Sequence, residues 1–384
     1  MADVLVLGGG PAGTWAAVSA AAQGARVVLA DKGFCGTSGA TAPSGTGLWH
    51  VSPEGGARDQ AKASRLAMGG HLAEPAWMDR VLSQTWDGVE QLKDWGYPFP
   101  ADELGRLRCN SLQGPEYMRL MRKRVKAAGV RILDHCPALE LLVDADGVVA
   151  GAAGVRHHPG ARGDAQGTER WAVRAGAVVI ATGGCAFLSR ALGCNVLTGD
   201  GYLMAAEAGA QLSGMEFSNA YGLGPAFSSV TKSLFYNWAT FYDGAQGPVI
   251  EGAGSSHGRG VIAQHLRHGP VFARLDKADG QIQAWMRVAQ PNFFLSFDRL
   301  GIDPFTQRFP VALRLEGTVR GTGGLDLAGE DCATTVPGLY AAGDAATREL
   351  ICGGFTGGGS HNAAWAMSSG GWSGAGAAAF ARGL

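Results

Sequence analysis

Residues 3–31, DVLVLGGGPAGTWAAVSAAAQGARVVLAD, decide the fold. A short apolar run, Val4–Leu7, reads as a buried strand and ends at Gly8. Gly8, Gly10 and Gly13 complete G-x-G-x-x-G, and an Ala-rich helix follows to about Gln23. Gly24 stops that helix, because glycine suits the residue after a helix C-terminus. A second strand, Arg26–Ala30, ends in Asp31, 23 positions after Gly8 and near the ~20 expected for a ribose-binding acid. Each glycine has its own task in this motif. The first makes a tight turn, the second lets backbone approach a pyrophosphate, and the third lets helix pack on strand. The free N–H groups at the helix start carry partial positive charge that suits phosphate. Strand, glycine turn, helix and acid together imply dinucleotide binding, without separating FAD from NAD.

The rest of the chain sets bounds. At 384 residues it exceeds the length at which one core usually keeps growing, so two domains are expected. Net charge is −1, which argues against a nucleic-acid binder, since a basic stripe is missing. Hydrophobic content of 46% with 17% charged residues favours a packed body over disorder. Seven cysteines with no C-x-x-C pair argue against a disulfide scaffold or an iron–sulfur cluster. No apolar run reaches the ~20 residues of a membrane span, and the first strand starts too early for a signal peptide. The expectation is a soluble cytoplasmic enzyme with no metal. The 61 glycines cluster at 8–10, 183–184, 353–354 and 357–359, as if several backbone segments meet one ligand.

Beyond Asp31 the sequence resembles the FAD flavoproteins of the fumarate reductase, succinate dehydrogenase and L-aspartate oxidase superfamily. The matching segments run in order: GTSGATAPSGTG (36–47), the helical stretch 69–99, AGAVVIATGG (175–184), TGDGYLMAAEAGAQLSGMEF (198–217) and VPGLYAAGDA (336–345). GPVFARLD (269–276) and GIDP (301–304) are similar to landmarks of the family's capping domain. The resemblance implies an α/β fold: a Rossmann-like FAD-binding domain (1–218 and 316–384) with an inserted α+β capping domain (219–315). It implies a short member without the C-terminal helical domain. No second G-x-G-x-x-G provides for a nicotinamide, so FAD is the implied cofactor.

The residues that this resemblance assigns to FAD are Gly8, Gly10, Pro11, Ala12, Gly13, Asp31 and Lys32 in the fingerprint. Thr37, Ser38, Ala42, Ser44, Gly45 and Thr46 form the wrapping loop. Ala181, Thr182, Gly183 and Asp200 follow. Gly343 and Asp344 should meet the ribityl chain, and Ser360, His361 and Asn362 the isoalloxazine edge. Relatives with covalent FAD use a histidine in the loop after the second strand. Residues 31–49 contain none, so non-covalent FAD is implied.

The substrate residues depart from the family. The two clamp histidines fall at Tyr221 and Val319, and the clamp arginine at about Thr356 or Gly357. No Arg or Lys occurs between Glu349 and Ala381. An anion clamp needs cations in fixed geometry, so simple dicarboxylates are poor substrates for this chain. Arg320 and Arg348 flank the site in sequence; Arg320 reads equally as an anion binder or a structural ion-pair partner. Arg259, in SSHGRGVIAQHL (255–266), takes the position of the family's proton-transfer arginine, with Gly260 where relatives place an acid. His257 and Tyr221 are the alternative acid/base groups. Phe235, Tyr236, Trp238, Phe241 and Tyr242 form either a cap core or an apolar substrate wall. The implied function is hydride transfer between a small-molecule C–C or C–N bond and flavin N5, with oxygen or a carrier as electron acceptor. The alternatives are a flavoprotein subunit of a partner-dependent electron-transfer complex and a non-catalytic FAD-binding protein.

Overall fold

The computed structural model describes residues 1–101, 105–157, 168–231, 233–255 and 258–383. Its main sheet has seven strands. Arg131–Leu133, Val27–Ala30, Ala2–Leu7 and the second half of Thr168–Ile180 lie side by side and parallel. Leu339–Ala341 joins them on the far side of that last strand. Val4, Leu5, Val6 and Leu7 are all buried, as expected for a parallel strand covered on both faces. The strand Thr168–Ile180 changes partner along its length. Its first half pairs antiparallel with Val149–His157, which in turn pairs with Ala138–Val143. The turn of that hairpin is the expected one: Gly147 takes φ +79° and its N–H donates to the Asp144 carbonyl (3.2 Å).

Two helices sandwich one another over the sheet, Pro11–Ala22 and the long C-terminal helix Gly359–Arg382. An added Cβ at Gly370 would fall 2.4 Å from the Ala12 carbonyl oxygen, and one at Gly374 2.2 Å from that of Ala16. Backbone packs directly on backbone there, so a side chain at either position would part the helices. The helix Pro75–Asp94 buries Met78, Val81, Leu82, Val89 and Leu92, the apolar face read from the sequence. The second strand starts at Val27 rather than Arg26, because Asp3 captures both the backbone N–H (2.7 Å) and the guanidinium (2.7 Å) of Arg26.

The inserted segment forms its own antiparallel sheet, in the order Ala220–Pro225, Phe309–Glu316, Val271–Arg274, Thr240–Asp243. The helices Gly280–Ala289 and Pro291–Leu300 complete the cap. Its core is aromatic, with Phe235, Phe241, Phe293, Phe294, Phe297 and Phe309 in one cluster. Phe241 and Tyr242 are buried within the cap, while Phe235, buried in the same cap cluster, also borders the cavity beneath it. The cap touches the other body through Asn292, whose Nδ2 donates to the Pro43 carbonyl (2.8 Å). No helix among the described residues is long and apolar enough to cross a membrane, and no metal-ligating cluster occurs among them.

Candidate active site

The C-terminal edge of the parallel sheet opens into a cavity of about 1160 Å³ that runs under the cap. Ligands of open parallel sheets bind at this edge. Gly8, Gly10, Pro11, Ala12, Asp31, Lys32, Ser38, Ser44, Gly45 and Thr46 line it from the fingerprint and the wrapping loop. Ala181, Thr182, Gly183, Asp200, Gly343, Asp344, Ser360 and Asn362 line it from segments far apart in sequence. The glycines divide their tasks. Gly8 turns at φ +109°, and a Cβ there would lie 2.3 Å from the Ala181 carbonyl oxygen. A Cβ at Gly13 would lie 1.8 Å from the Gly8 carbonyl oxygen, so Gly13 serves helix–strand packing and does not reach the cavity. A Cβ at Gly10 would meet no protein atom: the space before it belongs to the cavity. That open backbone cradle, facing the first turn of a helix whose N–H groups have no intrahelical acceptor, fits a pyrophosphate.

Asp31 is buried and already engaged. Its Oδ2 accepts from the Gly9 N–H (2.6 Å), its Oδ1 from the Gly33 N–H (2.7 Å), and the Ser38 hydroxyl reaches both oxygens (2.8 and 2.9 Å). The acid therefore locks the turn to the wrapping loop as well as facing the cavity. Lys32 Nζ ties that region to the Thr198 hydroxyl (3.1 Å) and the Val196 carbonyl. Asp344 shares its carboxylate with Arg348, which is 1% exposed and also donates to the Gly321 carbonyl. Arg348 does not border the cavity. Its charge is spent on fixing Asp344 and the segment 318–321.

Other expectations are displaced. Thr37 is exposed and Ala42 buried, and neither borders the cavity. Tyr221 is 46% exposed on the edge strand of the cap and is not brought to the site. His257 lies outside the described residues. His361 is fully buried against the Trp49 ring (centroids 4.6 Å apart) instead of facing the cavity, and neither ring nitrogen finds a partner. Burial pushes its pKa down to about 3, with the Arg65 charge acting the same way. Cys35 is buried, and burial pushes its thiol up to about 12, so it is chemically quiet.

The neutral state of His361 carries a pH prediction. Its folded pKa is depressed, so between about 3 and 6.5 the unfolded chain binds the extra proton. Stability is therefore lost as pH falls below 6.5, by at most about 1.4 kcal/mol per pH unit from this group. In thermal melts at pH 7 and pH 4.5, His361→Phe is expected to show a smaller acid-induced drop in Tm than the wild type. An equal drop would remove His361 as the source.

Arg259, Arg320 and Glu316 gather where the cap meets the loop before the last helix. Arg320 and Gly357 exchange hydrogen bonds: the Gly357 N–H donates to the Arg320 carbonyl (2.7 Å), and Arg320 Nη2 donates to the Gly357 carbonyl. Arg320 Nε stands 3.4 Å from Glu316 Oε2. Glu316 is fully buried, and its Oε1 accepts from the Thr231 hydroxyl (2.6 Å). The Arg259 guanidinium lies over Gly357, where a Cβ would sit 2.1 Å from Nη1. By surface area Arg259 is exposed, because it opens onto the cavity, yet protein encloses it otherwise. Desolvation, then repulsion from Arg320, bring its pKa down to about 10, while Glu316 pulls it upward. The bare backbone at Gly357 is what leaves room for the Arg259 guanidinium.

Sequence reasoning missed Arg65, Leu234, Trp285 and Gln290, all of which line the same cavity. Arg65 belongs to a helix, Ala57–Met68, that carries no motif. The cap residues are spaced by topology rather than by sequence.

Comparison with known proteins supplies the family and the fold. A family described as FAD binding domain matches residues 3–220, more than half of the chain. The L-aspartate oxidase of Streptomyces coelicolor is 29% identical across 90% of this chain. The chain spans 63% of that protein's length. Among solved structures, FrdA of E. coli quinol fumarate reductase has a TM-score of 0.82 at 21% identity, covering 99% of this chain and 70% of its own. The 3-ketosteroid-delta4-(5alpha)-dehydrogenase of Rhodococcus jostii RHA1 has a TM-score of 0.63 at 19% identity, covering 98% and 96%. The chain belongs to the FAD binding domain family, among whose members L-aspartate oxidase and fumarate reductase flavoproteins are similar to it, and FAD is its cofactor.

Proposed function

We propose that the chain is an FAD-dependent oxidoreductase that acts on a C–C or C–N bond beside an electron-withdrawing group, with Arg259 as its proton-transfer residue. Bound non-covalently, FAD supplies a two-electron acceptor or donor at N5. The protein supplies the rest. Arg259 borders the cavity with a pKa brought down to about 10, and a lowered pKa is what proton transfer by an arginine requires. Glu316 and Arg320 behind it offer an acid and a second cation, in place of the acid lost at Gly260. Arg320, held on Gly357, anchors one anionic group of the substrate. Phe235, Leu234 and Trp285 form an apolar wall for the remainder. Val319, at a clamp-histidine position, is buried and apolar, which supports a substrate other than a simple dicarboxylate. The cap over the cavity excludes water from the reacting groups.

The observation that carries this reading is the convergence of Arg259, Arg320 and the FAD-cradling glycines on one cavity. The test is anaerobic mixing of the flavin-loaded chain with candidate substrates, followed by oxygen or a carrier dye. Bleaching of the flavin band and its return are the expected result. A flavin that dithionite reduces but no substrate bleaches would favour a non-catalytic FAD-binding protein. Turnover that appears only with a second, iron–sulfur protein would favour the partner-dependent subunit.

A further inference from the structure

The cavity holds a third cation that the proposed chemistry leaves unused. Arg65 borders it at the other end of the loop that carries Gly357. Its position is built. The helix Ala57–Met68 ends at Gly69, and a Cβ there would fall 2.3 Å from the Cys352 carbonyl oxygen. A Cβ at Gly353 would fall 2.4 Å from the Gly69 carbonyl oxygen, and the Gly354 N–H donates to that same oxygen (3.0 Å). Helix end and loop thus clamp each other backbone to backbone. That clamp sets the Arg65 guanidinium over the Phe355 ring, 5.5 Å from its centroid. Its hydrogen bond is to the Met68 sulfur (3.4 Å), a weak acceptor.

A half-buried guanidinium ordinarily has an acidic partner. Here, among the described residues, the ionisable group that acts on Arg65 is Cys352, and burial pushes that thiol up to about 11, so it stays neutral. Arg65 is desolvated enough that its own pKa is lowered. Its charge also reaches His361, in the first turn of the long C-terminal helix, and helps to keep that ring neutral. Two positive features therefore meet at this end of the cavity, a guanidinium and a helix N-terminus, with no carboxylate among the described residues to answer Arg65.

We propose that Arg65 is an anion-binding residue of the cavity, and that its counter-charge is an oxygen of a bound ligand. This rests on the oxidoreductase reading. The shared chemistry is a delocalised anionic edge, which has two sources: the N1–C2 carbonyl edge of FAD when reduced, or a carboxylate of the substrate. Arg65 rests on Phe355, whereas Arg259 and Arg320 rest on Gly357.

The experiment uses the flavin-loaded chain with Arg65→Gln and Arg65→Lys, and two readouts besides turnover. One is the midpoint potential of the bound flavin. The other is the dissociation constant of benzoate, a carboxylate with an apolar body, read from the perturbation of flavin absorbance. If the anion is the flavin's own, Arg65→Gln shifts the couple at least tenfold toward the oxidised form, about 30 mV lower for two electrons. If it is the ligand's, benzoate binds at least tenfold more weakly and the potential stays. Arg65→Lys keeps most of either effect. A Gln variant that holds flavin and matches the wild type in both readouts overturns the proposal. Should Arg65→Gln not fold, Phe355→Leu, which removes the ring beneath the guanidinium, is read the same way, and an unchanged result again overturns it. A wild-type chain that takes up no flavin would instead defeat the oxidoreductase reading.

Discussion

Arg259→Gln is expected to lower turnover by roughly 10²–10⁴-fold, the usual worth of a positioned acid or base, while flavin stays bound at full occupancy. The argument rests on place and charge. Arg259 borders the cavity, lies over the bare backbone of Gly357, and loses part of its proton affinity to burial and to Arg320. As a proton donor the guanidinium must be charged, and the charged fraction falls as pH rises through about 10. The rate in the donating direction should therefore fall above pH 10, and the reverse direction, where the same group accepts a proton, should not share that loss. Gly357→Ala should mimic part of the defect, because a Cβ 2.1 Å from Nη1 displaces the guanidinium without removing it. Stopped-flow measurement of flavin reduction in both variants checks this. Near-normal rates in Arg259→Gln would take Arg259 out of the mechanism.

The cofactor half of the molecule was legible because its signals are local. The Gly8–Gly13 turn, the hairpin at Gly147 and the buried face of Pro75–Asp94 each follow from a few residues whose spacing admits one backbone. FAD itself was reached through the resemblance, since a pyrophosphate cradle does not report which dinucleotide it holds. The substrate end was not legible in the same way. Position-by-position comparison found the clamp cations gone, and the fold puts cations back from other elements. Arg320, which flanks the site in sequence, comes from the turn after a cap strand, and Arg65 from a helix without a motif, while Arg259 stands in a cap helix at the proton-transfer position that the resemblance implies. Charge at a site depends on where guanidinium groups end in space, and a long, flexible arginine side chain separates that from the chain position. Tyr221 illustrates the converse. Strand alternation next to Gly222, whose missing Cβ leaves room for Glu316, turns the tyrosine outward. His361 was placed in the right helix turn, but on the face that packs on Trp49.

The second large effect separates holding the cofactor from holding the fold, and it uses two glycines three residues apart. Gly13→Ala puts a Cβ 1.8 Å from the Gly8 carbonyl oxygen. That atom cannot retreat, because Gly8 is itself pinned at φ +109° against Ala181. Overpacking of this kind costs about 1–3 kcal/mol, and here the strained atoms are backbone, so the upper end applies. The flavin-free Gly13→Ala chain should melt at a clearly lower temperature than the wild type. Gly10→Ala differs, since its Cβ meets no protein atom. Its flavin-free Tm should match the wild type, while its affinity for FAD falls at least tenfold, the methyl group now standing where a pyrophosphate must approach the backbone. Calorimetry of both apo-proteins and titration with FAD distinguish the two outcomes. If Gly10→Ala binds FAD normally, the dinucleotide does not lie across the N-terminus of Pro11–Ala22, and the cavity's glycines need another occupant. If it binds weakly at unchanged stability, the space before Gly10 is the cofactor's, and only ligand contact explains why that position has no side chain.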